Sequence, residues 1–473
     1  MKTKQDIIAW LDANLAPFIR MADEIWANPE LAFQEFKASK LQADYLEQEG
    51  FRITWDLAGM STAFVAEWGE GKPIIGYAGE YDALPGLSQK KQPTPEPVEV
   101  GGPGHGCGHN LLGTSCVAAA VAVKKWLEAT GTSGVVRYYG CPAEEKGGGK
   151  VFMVRDGIFD DLDAAFSPHP AFVNMASKGS CLGVNSIRFR FHGRTAHAAG
   201  APHLGRSALD AVELMNVGVN YLREHMVDHA RIHYVITDGG KAPNVIPDTA
   251  EVYYYIRAHL PAEVAELTDR VRKVAQGAAM MTETTVEEIF EAGSSSQLSN
   301  HVLADMQYEA MQLIGPTPFD EADWAFARAM EAAYPPGTRD SVTAGYGVPP
   351  GLVTEPLLAA PLPSMDEGKI LPGSTDVGDL SWRVPLGSLW VTGSPVAAVG
   401  HSWGITAASG AGIGHKGMVY AAKVLAVTTA ELFTSPEKLK AARAEFEAAT
   451  SKHPYVLPIP EGMNPPSHPH PYR

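Results

Sequence analysis

Cys107 and His109 stand two residues apart in Gly-His-Gly-Cys-Gly-His-Asn, residues 104–110, just ahead of an apolar helical run. Thiolate and imidazole are the side chains most used to hold zinc and its first-row neighbours. The flanking glycines let the turn aim both groups one way. A buried cysteine beside a hydrogen-bonded histidine would give the same letters, so the pair needs company. Glu144 and Glu145 supply it, directly after the strand-like run VVRYYGC (135–141) and before three glycines. Adjacent carboxylates repel unless a cation holds them. One can bind a metal while the other takes a proton from a metal-bound water. His169, in AAFSPHPAF, and His415, in GIGHKGM, add two imidazoles. Cys107, His109, Glu145, His169 and His415 are too many for one tetrahedral ion and suit two ions sharing a ligand.

Distant residues like these need a scaffold to bring them together. TAFVAEWG (62–69), PIIGYAG (73–79), VVRYYGC and AAF (164–166) read as strands. Helices are predicted on both sides of a break at Asn28-Pro29, then over 111–127 and 416–433. Strands alternating with helices predict an α/β fold with functional loops at strand ends. The pattern changes near residue 184. A strand (184–193), a helix (206–226), strands 231–237 and 249–258, a helix (262–280) and a strand (284–290) give the order β-α-β-β-α-β. That is the ferredoxin-like split unit. The expected division is therefore a discontinuous catalytic domain, 1–183 and 297–473, with an inserted dimerisation or lid domain over 184–296. Residues 315–375, rich in Pro and Gly, give no assignment. The tail, 454–473, reads as loop, with His468 and His470 in solvent.

The length of 473 residues and 45% hydrophobic content suit two or three packed units. A formal net charge of −16 argues against nucleic acid or an anionic membrane as partner. Four cysteines in so long a chain make no disulfide framework and suit a reducing compartment. The N-terminus reads as a charged amphipathic helix and not as a signal peptide. No apolar run approaches the roughly 20 residues that span a bilayer. A cytoplasmic protein is expected.

With TAHAAGAPHLGRSALDA (195–211), APNVIPDTAEV around Asn244 and STDVGDLSW (374–382), these motifs resemble the M20 family of metallopeptidases nearly end to end. Within it they look most like the amidohydrolase branch that cleaves N-acyl amino acids. The resemblance implies a zinc-exopeptidase-like mixed-sheet catalytic domain. It implies two divalent ions, Mn²⁺ or Zn²⁺, on Cys107, His109, Glu145, His169 and His415, with Glu144 as general base. Asp82, in GEYDAL, matches an acid that supports the metal site by orienting a ligating imidazole. His197 matches a residue that reaches across a dimer to hydrogen-bond the scissile carbonyl oxygen, and Asn244 matches a second contact. Arg257 matches the binder of the substrate's free carboxylate, a task His203 and Arg206 could share. His105 is not a ligand in the family and reads as loop structure or as a support behind the ligands. Asn110, where the branch has Asp, and Glu80-Tyr81 before Asp82 depart from the common pattern and narrow the subfamily. The implied substrate is an N-acyl amino acid with an acidic amino-acid half, p-aminobenzoyl-glutamate first. The alternatives are another acyl group such as indole-acetyl, a dipeptide, or a non-catalytic partner chain that keeps the fold. The implied assembly is a homodimer, or a heterodimer with a related chain, without nucleic acid or membrane.

Overall fold

Runs rich in Val, Ile, Tyr and Phe between Gly and Pro form strands. The computed structural model describes residues 1–346, 348–349, 351–371 and 373–473. Its strands, in chain order, are β1 (Arg52–Trp55), β2 (Phe64–Glu70), β3 (Ile74–Glu80), β4 (Gly134–Cys141), β5 (Ala164–Ala171), β6 (Asn174–Ala176) and β7 (Ser180–Cys181). There follow β8 (Gly183–His192), β9 (Arg231–Asp238), β10 (Thr249–Ala258), β11 (Thr285–Ser294), β12 (Pro361–Leu362), β13 (Ile370–Leu371) and β14 (Leu386–Thr392).

Eight of them build a mixed sheet in the order β1-β2-β4-β3-β5-β14-β6-β12. Its centre, β4-β3-β5-β14, is parallel. Parallel strands are covered on both faces, and every residue of β3 is buried. On one face the helices His109–Thr130 and Gly412–Thr434 share a core with Ile75, Tyr77, Val136, Tyr138 and Phe166. On the other, Phe152, Val154, Leu162 and Leu380 pack with Ala78, Tyr139 and Ala165. Gly113 sets how closely the first of those helices approaches β3, because a Cβ there would stand 2.4 Å from the Glu80 carbonyl oxygen.

The second sheet is antiparallel, in the order β11-β8-β10-β9. Its connecting helices, Ala208–Leu222 and Pro261–Thr282, share a core with Ile187, Phe189, Phe191, Val252, Tyr254 and Ile256. This is the predicted βαββαβ unit. Since side chains alternate along a strand, Ser186, Arg188, Arg231, His233, Tyr253, Tyr255 and Arg257 occupy the opposite face.

Three local expectations change. The strand predicted over 164–166 continues to Ala171, so His169 lies within β5, opposite Trp390 of β14. Parallel pairing carries the strand past its prolines, which composition alone disfavours. Within 315–375 stand the helices Glu321–Ala333 and Thr338–Gly345. The first is started by Asp320, whose side chain accepts from the N–H of Ala322 and Asp323. His470 is only partly in solvent: its ring packs edge-on against Phe36 and Trp55 at 5.2 and 5.4 Å. His468 is exposed.

Gly113→Ala gains about 1 kcal/mol in helix propensity but overpacks against main chain that cannot rotate away, a cost of about 1–3 kcal/mol or more. The apparent thermal midpoint is expected to fall by a few degrees; a midpoint at or above wild type would refute the close-packing argument.

Candidate active site

The C-terminal ends of the parallel strands open on one cleft of about 1520 Å³, lined among others by Glu80, Cys107, Glu144, Glu145 and His169. β3 ends on Glu80, with Asp82 two residues on; Glu144 and Glu145 follow β4, and His169 projects from β5. The turn before the helix His109–Thr130 brings Cys107 and His109, with Gly108 left-handed at φ +76° so the chain can swing into the helix.

Cys107 Sγ lies 3.3 Å from His169 Nε2. His109 Nε2 lies 3.3 Å from Glu80 Oε2 and 4.0 Å from Glu145 Oε1. His401 Nε2 stands 3.5 Å from the other Glu145 oxygen. Donor atoms gather in three sets within 4.8 Å: Cys107, His109 and His169; Cys107, Glu145 and His401; Glu80, His109 and Glu144. A divalent metal fits this arrangement. Among the described residues, buried His109 Nε2 and Glu145 Oε1 have no hydrogen-bond partner, and each such orphan costs about 1–3 kcal/mol. Two ligands on one tetrahedral ion, with bonds of about 2.0–2.3 Å, stand roughly 3.3–3.8 Å apart. The Cys107–His169, His109–Glu80 and His401–Glu145 separations fall at such edges.

Asp82 organises the set. His109 Nδ1–H donates to its Oδ1 at 2.8 Å, so Nε2 is the nitrogen that faces the cluster. The main-chain N–H of Glu145 donates to its Oδ2 at 2.9 Å. His169 Nδ1–H donates to the Pro170 carbonyl at 2.8 Å, again freeing Nε2. Burial, then the His109 charge, lowers His169 to about 4. Burial also pulls on His109, but the charges of Cys107, Asp82 and Glu80 outweigh it and hold the imidazole well above its usual range. Burial, then Glu80 and Glu145, pushes the Glu144 carboxyl well above the ordinary carboxylate range. Negative charge is in excess here.

One ammonium answers it from inside. Lys150 is fully buried and ion-pairs with Glu80 Oε1 and Asp376 Oδ1, each at 2.6 Å. Its own N–H donates to Asp376 Oδ2 at 2.9 Å. Glu80, Lys150, Asp376 and His401 all escape the sequence reading. Glu80 appears there only as a departure from a pattern, and nothing local marks Lys150 as buried.

Glu35 fastens the turn that aims Glu144. Ala143, just before it, is a non-glycine residue at φ +61°, a conformation costing about 1–2 kcal/mol. Its N–H donates to Glu35 Oε1 at 2.9 Å, and its carbonyl accepts from Gly147 and Gly148. Glu35 also accepts from the Phe33 N–H and the Thr62 hydroxyl, at 2.9 and 3.0 Å.

His415 departs from expectation. Its Nε2 lies 3.3 Å from Asp23 Oδ1, and it joins none of the three donor sets. It sits in the first turn of Gly412–Thr434, a helix whose buried faces fix its rotation and turn this ring toward the helix Leu15–Ala27. His401 occupies the position beside Glu145.

His197 and Asn244 are neighbours on exposed loops of the smaller sheet, joined by the Ala198 N–H donating to the Asn244 carbonyl at 3.0 Å. His197 Nδ1 accepts from the N–H of Ala199 and Gly200 at 3.2 and 3.0 Å, so its proton sits on Nε2. Arg206 donates to Glu283 at 2.7 Å and, with His203, lies on the same loop. None of these four is among the described residues lining the cleft of their own chain. Arg257 does line it, donating to Ser374 Oγ at 2.9 Å. His105 is buried, with Nε2 3.1 Å from the Ile25 carbonyl, and Asn110 donates to the Ser409 carbonyl at 3.0 Å.

Residues 182–280 match the peptidase dimerisation domain of the M20 group. Over 96% of its length the chain is 44% identical to one of the two kinds of chain of p-aminobenzoyl-glutamate hydrolase of Escherichia coli, covering 97% of that protein. It is 30% identical to mouse Xaa-Arg dipeptidase over 89% of this chain and 87% of that one. A dinuclear metal-binding M20 peptidase of Bacillus subtilis shares the fold, with TM-score 0.59 and 19% identity over 89% of this chain and 99% of that chain. An aminobenzoyl-glutamate utilization protein from Klebsiella pneumoniae does so with TM-score 0.56 and 17% identity, over 89% and 97%. The chain belongs to the M20 family. It is a metal-dependent amidohydrolase that carries the family's dimerisation domain. Among the described residues no helix is long and apolar enough to cross a membrane.

Burial, then the Asp82 charge, pushes the Glu35 carboxyl up to about 8 from its usual 4.5. Between those values the folded protein keeps a proton that the unfolded chain has released, so stability falls as pH rises through that window. Glu35→Gln keeps an acceptor for Ala143 and loses the titration. Its thermal midpoint should fall less than the wild type's between about pH 5 and pH 8; parallel profiles would dismiss Glu35 as the source.

Proposed function

We propose that this chain hydrolyses the amide bond of an N-acyl amino acid, with p-aminobenzoyl-glutamate the favoured substrate, using two divalent cations, Mn²⁺ or Zn²⁺. One observation carries the reading: a metal-type donor set and a half-buried carboxylate, Glu144, meet in one cleft large enough for such a substrate. The near full-length likeness to a chain of p-aminobenzoyl-glutamate hydrolase supports the choice of acyl group.

Cys107, His109, Glu145 and His169 would hold the cations, with His401 as the further donor. Bound there, divalent metal lowers the pKa of water and polarises an amide carbonyl. Glu144 takes the proton of the attacking water and returns it to the departing amine. The pressure of burial toward its protonated form suits that return. Asp82 keeps His109 in the ligating tautomer, and Lys150 holds Glu80 in place through their ion pair. His197, donating through Nε2–H, meets the carbonyl oxygen as charge develops on it. That His197 and Asn244 are not among the described residues lining their own chain's cleft, together with the dimerisation domain, supports their acting in the cleft of a partner, a second copy or a related chain. Arg257 binds the free carboxylate with its forked donors. Four free thiols suit a reducing, cytoplasmic setting.

Glu144→Gln should lower kcat by about 10²–10⁴-fold, with KM within a few-fold and metal content unchanged. Activity near wild type would end the general-base assignment. His401→Ala is expected to lower the bound metal measured by elemental analysis, while His415→Ala keeps it. The reverse result would return His415 to the ligand set.

A further inference from the structure

The open face of the smaller sheet carries charge that the chemistry above leaves unused. Arg231, His233, Tyr253, Tyr255 and Arg257 share the side away from the helices, and all five line the cleft that holds Glu144. Arg231 and Arg257 stand directly opposite each other in the β9–β10 register. Like charges so paired repel. The chain, at net charge −16, has acids to spare, and Arg188 on the same face takes two of them, Glu251 at 3.0 Å and Glu291 at 2.6 Å. Arg231 takes none among the described residues. Its Nη1 donates to the carbonyls of Asp228 and Ala230, each at 2.7 Å, which fixes the fork without neutralising it. His233 Nε2 accepts from Arg257 Nε at 3.2 Å, so the ring is neutral with its proton on Nδ1. Two held guanidinium groups and an imidazole N–H on one wall form a site for paired carboxylates.

We propose that Arg231, assisted by His233, binds a second carboxylate of the substrate and so selects an acidic amino-acid half, while Arg257 takes the α-carboxylate. This rests on the amidohydrolase reading. Directly opposed residues of a cross-strand pair have Cβ atoms about 4.5–5.5 Å apart, so Arg231 and Arg257 rise from neighbouring points of one wall. A basic side chain would meet the same wall and be repelled, which sets this cleft apart from one serving an arginyl dipeptide.

The test uses the metal-loaded full chain with p-aminobenzoyl-glutamate and p-aminobenzoyl-glutamine, equal in size and different by one charge. Wild type should favour the glutamate conjugate by roughly 10- to 100-fold in kcat/KM, mostly through KM. Arg231→Gln should bring the two within about threefold by weakening only the glutamate conjugate, and Arg231→Lys should restore part of the preference. Equal loss on both conjugates, or no preference in wild type, overturns the proposal. Calorimetric binding of the same compounds separates this idea from the one beneath it. Preferential binding of the glutamate conjugate that Arg231→Gln abolishes, without turnover by wild type, keeps the subsite and sinks the hydrolase reading. Turnover of both conjugates with equal efficiency keeps the hydrolase and sinks the subsite; binding of neither sinks the subsite as well.

Discussion

Carboxyl groups crowded at the ends of parallel strands are the constraint on which the rest depends. Glu35, Glu80, Asp82 and Asp376 are all buried within the same region as Glu144 and Glu145. Unpaired, such a concentration of charge could not be folded away from water. Each member therefore has an assigned partner. Glu35 and Asp82 take main-chain N–H groups, Asp82 also takes His109, and Glu80 and Asp376 share Lys150. Among the described residues, the buried atoms on the cleft side without a hydrogen-bond partner include Glu145 Oε1 and His109 Nε2. The unmatched remainder is what a cation would neutralise.

The same bonds fix geometry. Asp82 joins the segment after β3 to the segment after β4 by binding both His109 and the Glu145 N–H, so one carboxylate positions both residues at once. Glu35 reaches from the N-terminal region to hold Ala143 left-handed, which directs Glu144. Lys150 ties Glu80 to a segment over two hundred residues later in the chain. The site is thus rigid because its charges must be satisfied, and preorganised groups of this kind are what make electrostatic catalysis effective.

The smaller sheet contributes by facing the cleft with one side and packing its helices on the other. Arg257 meets Ser374, and Asp376 two residues on meets Lys150. The wall that would bind substrate charge is therefore linked through a short run of chain to the countercharge of the metal-type cluster. The His197 and Asn244 loops lie elsewhere on that unit, outside the cleft.

Much of this was legible without coordinates, and for definite reasons. Glycine-flanked Cys107 and His109, paired Glu144 and Glu145, and the βαββαβ rhythm are local patterns, since donor type, turn residues and hydrophobic period are written along the chain. Asp82 as a brace for an imidazole came from the family resemblance and not from any local pattern. His415 and His401 were not legible, because helix rotation turns the His415 ring toward Leu15–Ala27 while a left-handed turn before the helix Trp403–Ser409 carries His401, and no local pattern encodes either. Glu35, Glu80, Lys150 and Asp376 are ordinary charged residues by sequence; only packing shows that they are buried and mutually paired. His470 turned from a solvated tail residue into a packed ring for the same reason. The sequence alone determined which chemistry the chain carries, because chemistry resides in side-chain types and close spacing. The tertiary structure alone decided which charges meet, because burial and partner choice depend on contacts between residues far apart in the chain.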